Sequence, residues 1–456
     1  MGTTKRTLLG LLAVASALAG CDGDGGTDAG GTDAGAGEDG AVADAARPED
    51  AAADDAGADG AVDEEEITLG RLLVASASSD ALHVVDLDGA ETFALSLGEP
   101  ETIRALYAHP SSRYVYAVLD DEIAILDTGV TLESHGGHFH VDKGAPAVLS
   151  DHFHEVSAGF FAVHGEANGR FALAFDHGEA SGPSAVTLLQ ERTLAATVPT
   201  SFRRVELERH EGFAIVFAGH LFATLPPAEG ASAGRLTVRE VADPDVVETE
   251  RPCTSPTGIA ANGFAALVAC AEHVLVAELH DDHFDYETVA YPASLEGARL
   301  SELRAVGMRP WEGGMLGTGE TRVVARWGDR GLAIIQPASP SAIIALPIAS
   351  PVVDFRPDHA GEHLVVLTAD GNLHRFELAD GAAAGAPIAI AGAGASSRLA
   401  VGARDAFVSV PAMNRIVPVE IEHWEAEAPL ALPFTPGALV VATISPDALA
   451  HEAHEH

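Results

Sequence analysis

A two-strand pattern that recurs along most of the chain constrains the fold more than any other feature. Each copy has a short apolar strand, a tight polar turn and a second strand that ends in an acid or a proline. Eight copies follow one another at intervals of about 40 to 60 residues, at 72–87, 114–127, 171–175, 213–225, 264–279, 323–335, 364–378 and 406–419. Regular β repeats of this length predict a β-propeller, whose blades bury their faces against one another.

The pattern predicts an all-β fold with seven or eight blades. The number stays open because the first and last repeats can share one blade. Asp370-Gly371-Asn372 is a strong hairpin turn within one copy. Helical periodicity is confined to residues 293–306, where a short helix is allowed. Two sandwich domains are the alternative architecture, since 390 or so residues would suffice for both.

The first residues are typical of an export signal. Lys5 and Arg6 precede an apolar run at 8–18 that is too short to span a bilayer comfortably. The run ends in Leu18-Ala19-Gly20-Cys21, which resembles a bacterial lipobox. We therefore expect residues 1–20 to be removed and Cys21 to carry a lipid that anchors the protein to a membrane. An ordinary signal peptide with a chance cysteine is the alternative.

The segment after Cys21 predicts a disordered acidic tether over residues 21–66. From residue 22 to 66 it contains 16 acidic residues, one basic residue (Arg47) and no aromatic residue. So little apolar mass cannot offset the entropy of ordering the chain. We expect the propeller at 67–446 and a flexible tail rich in His and Glu at 447–456.

The charge excludes one class of partner. The net charge is −42, and about −29 of it belongs to residues 67–456 once the tether and the two signal-peptide cations are set aside. Such a body repels nucleic acid and anionic membrane surfaces, and it favours a soluble monomer. We therefore expect no nucleic-acid partner, and a location in the cell envelope, periplasmic or at the cell surface.

Two cysteines remain after Cys21 is assigned to lipid. In an oxidising compartment, Cys253 and Cys270 are most simply paired in a disulfide across the turn at Ala261-Asn262-Gly263. Metal ligation by the pair is the alternative.

A histidine-rich segment at 133–177 carries the candidate chemistry. It holds seven of the 21 histidines, and Gly136-Gly137 gives its backbone freedom to fold. In an extended segment, His138 and His140 point to one side, as do His152 and His154. Imidazole with carboxylate is a suitable ligand set for zinc, although copper and nickel also accept it. The candidate ligands from this argument are His135, His138, His140, Asp142, His152 and His154.

The same segment resembles a known family. Residues 125–130, running into Leu132-Glu133-Ser134-His135-Gly136-Gly137-His138, are similar to the AztD family of periplasmic zinc metallochaperones. These are propellers with a mobile flap rich in His and Asp, and they deliver zinc to the solute-binding protein of a zinc ABC importer. The similarity covers roughly residues 70–280 and includes 146–149, 163–165, 171–176, 210–214 and the pair Cys253 and Cys270.

The resemblance implies metal-binding roles for His135, His138, His140, His164 and His210. It also shows a departure, because family histidines that belong to a central site are replaced here by Phe160 and by Thr257-Gly258. Histidines that occur singly, including His220, are predicted to have no function. A second, weaker ligand patch is His280-Asp281-Asp282-His283.

The sequence therefore predicts a lipid-anchored zinc-binding protein that acts as a metallochaperone or buffer. The alternative is a propeller lipoprotein that binds a protein partner without metal, since propellers commonly serve as scaffolds. An enzyme is not expected, because the chain has no nucleophile elbow, no His-Glu-x-x-His motif and no glycine-rich phosphate loop.

Overall fold

Strands whose successive residues are all apolar must bury both faces. Such strands therefore lie in sheets that are covered on both sides, as the blades of a propeller are. Tyr114–Val118, Ala265–Ala269 and Gly331–Ile335 are buried at every position. In contrast, His283–Ala290 alternates between exposed and part-buried residues along most of its length. The first kind of strand belongs in the middle of a sheet that packs on both sides, and the second belongs at an edge.

The computed structural model describes residues 70–443, with some gaps. The gaps are 90, 99–101, 110, 121, 135–138, 150–153, 156–157, 167–168, 178–182, 191–193, 195–202, 229–233, 263, 281–282, 296, 298, 307–308, 312–313, 317–321, 330 and 340. The predicted signal peptide, Cys21, the tether and the C-terminal tail lie outside the described residues, so those assignments and the domain boundaries stay predictions.

Eight antiparallel sheets form the eight blades, which confirms the higher of the two predicted numbers. From the innermost strand outward, blade 1 consists of β38 (Pro436–Ala442), β1 (Arg71–Ser76), β2 (Ala81–Asp86) and β3 (Thr92–Ser96). Blade 2 consists of β4 (Ala105–Ala108), β5 (Tyr114–Val118), β6 (Glu122–Asp127) and a split outer strand, β9 (Ala147–Val148) and β10 (His154–Glu155).

Blades 3 to 5 repeat this order without interruption. Blade 3 consists of β11 (Ala158–Glu166), β12 (Gly169–Asp176), β13 (Ser184–Gln190) and β14 (Arg203–Leu207). Blade 4 consists of β15 (Ala214–Phe217), β16 (His220–Leu225), β17 (Arg235–Glu240) and β18 (Val247–Pro252). Blade 5 consists of β19 (Gly258–Ala261), β20 (Ala265–Ala269), β21 (His273–His280) and β22 (His283–Ala290).

Blades 6 to 8 complete the ring. Blade 6 consists of β23 (Leu300–Ala305), β26 (Val323–Trp327), β27 (Gly331–Ile335) and β28 (Ile343–Pro347). Blade 7 consists of β29 (Val352–Pro357), β30 (His363–Thr368), β31 (Asn372–Glu377) and β32 (Ile388–Ala389). Blade 8 consists of β33 (Leu399–Val401), β34 (Asp405–Val410), β35 (Arg415–Glu420) and a split outer strand, β36 (Glu425–Ala426) and β37 (Leu430–Ala431).

Two small hairpins are inserted into this scheme. One joins β7 (Val130–Ser134) to β8 (Phe139–Lys143) between the third and fourth strands of blade 2. The other joins β24 (Arg309–Trp311) to β25 (Gly314–Leu316) in blade 6. The described residues also form two short 3-10 helices, Ala293–Leu295 and Pro411–Met413.

The ring closes through the two ends of the described chain. The last strand, β38, pairs with the first, β1, and its register places Arg71 opposite Ala442. Blade 1 is therefore shared between the termini, as the repeat pattern allowed. The innermost strands of neighbouring blades contact one another all the way around the central channel.

Apolar contacts between blades form the core. Leu72 and Val74 of blade 1 pack with Phe407 and Ile416 of blade 8, so burial as well as hydrogen bonding closes the ring. The prediction that residues 293–306 could form a short helix is wrong for most of that range. Among the described residues of 293–306, helical structure is confined to Ala293–Leu295, and Leu300 begins the innermost strand of blade 6. No helix in the described part of the chain is long and apolar enough to cross a membrane.

The predicted disulfide is present. Cys253 and Cys270 are bonded, with 5.2 Å between their Cα atoms, and both are buried. The bond joins the end of blade 4 to the second strand of blade 5, and Tyr291 donates a hydrogen bond to the Cys270 carbonyl at 2.7 Å. It is thus a covalent link between neighbouring blades.

We expect the double change Cys253→Ser and Cys270→Ser to lower the free energy of unfolding by about 3 kcal/mol, because the unfolded chain regains the entropy of an open loop. Urea unfolding of the oxidised protein and the variant measures the difference. A reductant should shift the unfolding midpoint of the wild type towards that of the variant and leave the variant unchanged. Equal midpoints for the variant and the oxidised wild type would contradict a stabilising role.

Candidate functional site

The first part of the histidine-rich segment belongs to a hairpin that is separate from the sheet of blade 2. Among the described strands, β7 and β8 pair only with each other. The register sets Glu133 opposite His140 and Thr131 opposite Asp142. His135 and His138 come between the two strands in sequence and lie outside the described residues, as does the side chain of His140. Asp142 is exposed. The predicted ligands are therefore brought to one hairpin by the backbone.

A buried arginine holds the root of this hairpin. Arg71 is 2% exposed, and its guanidinium donates to the carbonyl of Thr128 and, at 2.7 Å, to the carbonyl of Gly144. These two carbonyls mark the points at which the chain leaves blade 2 and returns to it. One side chain of blade 1 thus clamps both ends of the inserted segment.

Backbone geometry and charge reinforce the clamp. Gly129 has φ +76°, and a Cβ atom there would lie 2.3 Å from the Gly144 carbonyl oxygen, so only glycine fits. The Gly144 amide donates to the Gly129 carbonyl at 2.8 Å. At the end of β8, the ammonium of Lys143 lies 2.5 Å from Asp86 and also contacts Asp88. The root of the hairpin is therefore fixed against blade 1.

Strand direction decides which side of the propeller the hairpin occupies. Because each blade repeats the same antiparallel order, all innermost strands run the same way through the ring. We call the side on which they end, at residues such as Ala108 and Phe217, the exit face, and the opposite side the entry face. The β7–β8 hairpin follows the third strand of its blade and so lies on the exit face. The innermost strand β11, which carries His164 two residues before its last residue, ends on the exit face as well.

The other predicted ligands are not brought to this hairpin. His152 lies outside the described residues, and His154 pairs with Ile123 at the outer edge of blade 2. His210 follows the last strand of blade 3 and is on the entry face. Of the ligands predicted from the histidine-rich segment and the resemblance, the exit face therefore gathers those of the hairpin and His164.

The ring of His210 makes contacts within the protein at both nitrogens. Nδ1 lies 2.7 Å from the Glu208 carbonyl, and Nε2 lies 3.2 Å from the Thr224 hydroxyl. Burial lowers the pKa of His210 below its usual range, and the hydrogen bonds to Glu208 and Thr224 partly oppose this effect. Its ring packs edge-on against Phe175 at 5.2 Å. In this geometry His210 braces the junction of blades 3 and 4.

A group of potential metal ligands that sequence reasoning missed lies on the exit face of blade 4. One ligand atom from each of His220, Glu240 and Glu248 lies within 4.8 Å of the others. His220 begins β16 opposite Glu240, the last residue of β17. Since the three residues are far apart in sequence, only the pairing of three strands brings them together. The prediction that His220 has no function did not take this pairing into account.

A backbone carbonyl fixes the orientation of the His220 ring. Nδ1 lies 2.7 Å from the Ala218 carbonyl, which can only accept, so this nitrogen carries the proton. Nε2 faces Glu248 at 3.2 Å, and the ring meets Phe284 of blade 5 edge-on at 4.9 Å. In the neutral ring, a lone pair on Nε2 faces a carboxylate oxygen. That arrangement is favourable only when a proton or a metal cation lies between the two atoms.

The second ligand patch considered from the sequence adjoins this group. His283 lies 3.6 Å from Asp285, and His280 lies 3.8 Å from both Glu278 and Asp285. More than half of each histidine side chain is exposed. The patch is a solvated rim beside Phe284.

The central channel contains a cavity of about 560 Å³. Phe160 and Gly258, which replace family histidines, both line its wall, and so do several charged side chains from blades 2 and 6 to 8. The described lining contains no histidine. A histidine-based metal site in the channel is therefore not formed by the residues that line it.

Comparisons with known proteins identify the fold. No protein-family model matches the chain, and no curated protein sequence does. Two structures of AztD from Citrobacter koseri superpose with TM-scores of 0.66 (apo) and 0.68, at 16% identity, over 81% of this chain and 97% and 96% of theirs. The dihydro-heme d1 dehydrogenase NirN in complex with DHE gives 0.52 at 12% identity, over 82% of this chain and 75% of that one. The chain therefore has an AztD-like propeller fold.

We expect Arg71→Met to release the root of the hairpin and to lower the free energy of unfolding by about 3 kcal/mol. Two carbonyls lose their donor, and Asp86 loses a buried partner at 3.8 Å. Hydrogen exchange should show faster exchange of the Gly144 amide, with the amides of β20 unchanged. Arg209→Met, at an exposed arginine, is the matched control. Unchanged protection at Gly144 would show that Arg71 does not hold the root.

Proposed function

We propose that this chain is an extracytoplasmic zinc-binding protein that captures zinc on its exit face and acts as a metallochaperone or buffer. One observation carries the proposal: the segment with the densest histidines forms a hairpin outside the blade, on a root fixed by Arg71. A hairpin held at its base presents ligands to solvent without disturbing the core. The histidines that we assign to zinc are His135, His138 and His140, with Asp142 in the same hairpin.

The AztD-like fold supports this function together with the sequence resemblance. In the AztD family, a flap after the corresponding phrase binds zinc and delivers it to the solute-binding protein of an ABC importer. We propose the same class of partner here, with Cys21 as the lipid anchor and the acidic segment as a tether. The role is binding and transfer rather than catalysis.

The His220 group supports the proposal as a second zinc site. An imidazole whose Nδ1 proton is held by a carbonyl, together with two carboxylates, matches the nitrogen and oxygen ligands that zinc accepts. The side chains of His220 and Glu248 are 22% and 32% exposed, so a bound ion remains accessible to water. An open site of this kind exchanges its metal, as a chaperone or buffer requires.

We expect His135→Ala, His138→Ala and His140→Ala together to remove at least one zinc equivalent from the purified, untagged chain. Calorimetric titration with zinc at pH 7.5 measures the stoichiometry. Capture should weaken as the pH falls through about 6.5, because protonated imidazole is not a ligand. If the stoichiometry is unchanged, the hairpin is not a site.

The His220 group is tested in that triple variant. Adding His220→Ala should weaken the remaining zinc site by about tenfold or more, because a direct ligand is lost. His423→Ala is the matched control, since His423 is also on the exit face and pairs with Glu420 at 2.8 Å outside the His220 group. Equal effects of the two changes would reject a site at His220. A wild-type chain that binds no zinc and is indifferent to chelator would instead favour the scaffold function.

A further inference from the structure

The charge inside the central cavity is opposite to that of the protein. Six charged side chains line it, and four of them are arginines: Arg104, Arg304, Arg356, Arg398, Glu302 and Asp354. The whole chain, in contrast, carries −42. Low-dielectric walls strengthen the electrostatic field of an enclosed charge. Four arginine side chains that line one cavity of an acidic protein therefore indicate a site for an anion.

Two neighbouring arginines in the cavity differ in how they are neutralised. Arg304, on β23, contacts Glu302 at 2.5 Å and Asp354 at 2.9 Å. Burial by itself would lower the pKa of Arg304, but these two carboxylates raise it above its usual value. The charge of Arg304 is therefore satisfied within the protein.

Arg356, on β29, is left without such partners. Its nearest carboxylate oxygen, on Asp354, lies 3.7 Å from Nε, and that buried nitrogen has no hydrogen-bond partner among the described residues. Burial lowers the pKa of Arg356, the positive charge of Arg304 lowers it further, and Asp354 only partly opposes both. Although it lies deep in the ring, 36% of its side chain is accessible, because it faces the cavity. Arg356 therefore presents an only partly neutralised guanidinium to the cavity.

The backbone beside this pair is shaped unusually. Glu302 has φ +49°, which a residue with a side chain rarely adopts, and the register of β23 shifts between Ser301 and Arg304. Such bulges redirect side chains and cluster near binding sites. Here the bulge places the Glu302 carboxylate against both Arg304 and Arg326. It thus fixes Arg304 and leaves Arg356 as the exposed cation.

The opposite wall adds a neutral donor and apolar surface. Tyr107, on β4, faces the charged cluster across the ring, and burial raises its pKa, so the phenol keeps its proton. Its ring lies 4.9 Å from that of Phe161. The rest of the wall is largely apolar, with Leu106, Phe160, Phe213, Ile215, Ile259 and Leu439. Arg104 and Arg398 immediately precede innermost strands, so they stand at the entry-face mouth of the channel.

We propose that the central cavity binds an organic carboxylate with an apolar body, held by Arg356 and Tyr107 against the apolar wall. A guanidinium with free donors receives a carboxylate through paired hydrogen bonds, and the phenol supplies a third. The volume matches that of pockets for small organic ligands. The arginines at the mouth draw the anion into a protein whose outer charge repels it. This site is independent of zinc and lies inside the ring, away from the exit-face histidines.

The test uses the full chain with zinc removed by chelator and benzoate as the probe. Calorimetric titration should show saturable binding of one benzoate per chain, and Arg356→Met should weaken it by about tenfold or more. Arg251→Met, at an exposed arginine on the outer strand β18, should leave the affinity unchanged. Absence of saturable binding, or equal affinity in Arg356→Met, overturns the proposal.

Inorganic phosphate and a second variant complete the test. Phosphate should bind more weakly than benzoate, because it cannot use the apolar wall, and tighter binding of phosphate would overturn an organic ligand. Without probe, Arg356→Met should melt at or above the wild-type temperature, since a charge that the protein neutralises only in part is removed from the cavity. If Arg356→Met melts at a lower temperature, benzoate binding is measured in Tyr107→Phe, which removes only the hydroxyl. A benzoate affinity weakened by about threefold or more then supports the site, and an unchanged affinity overturns it.

Discussion

The pairing of β38 with β1 is the contact on which the rest of the structure depends. A ring of blades is closed only when its last blade packs against its first. Here β38, the last described strand, supplies the innermost strand of blade 1. Burial of Leu72 and Val74 against Phe407 and Ile416 strengthens the same junction. Every innermost strand then lines one channel, and every blade has a defined exit face.

The closure also positions the histidine-rich hairpin. Arg71 is the residue that pairs with Ala442 at the junction, and the same residue donates to Thr128 and Gly144 at the root of the hairpin. The Ser112 hydroxyl, in the first turn of blade 2, donates to the Thr443 carbonyl just beyond β38. The hairpin therefore leaves the propeller at the place where the ring is sealed. Loss of the closing strand would release the hairpin as well as open the ring.

The molecule separates its charges by location. Acidic residues outnumber basic ones by 68 to 26, and two carboxylates belong to the exit-face group at His220, Glu240 and Glu248, which suits a cation. Arginines outnumber acids by four to two in the described lining of the channel, and the charge of Arg356 is only partly neutralised there, which suits an anion. Because the channel walls keep the two environments apart, the proposed cation and anion sites can act without neutralising each other. In a sequence of net charge −42, only the fold shows that a positive interior exists.

The sequence by itself determined the repeats, the all-β class, the disulfide and the concentration of histidines at 133–154. The hairpins it predicted are mostly the two middle strands of each blade, such as β5–β6 and β30–β31. The second strands, such as β5 and β30, bury nearly every residue and are apolar along most of their length, whereas outer strands such as β22 alternate and carry a weaker signal. Tertiary structure alone decided the number of blades, the strand at 300–305, the meeting of His220 with two glutamates and the incomplete neutralisation of Arg356. Each of these depends on contacts between residues far apart in sequence, and neither periodicity nor spacing along one segment records such contacts.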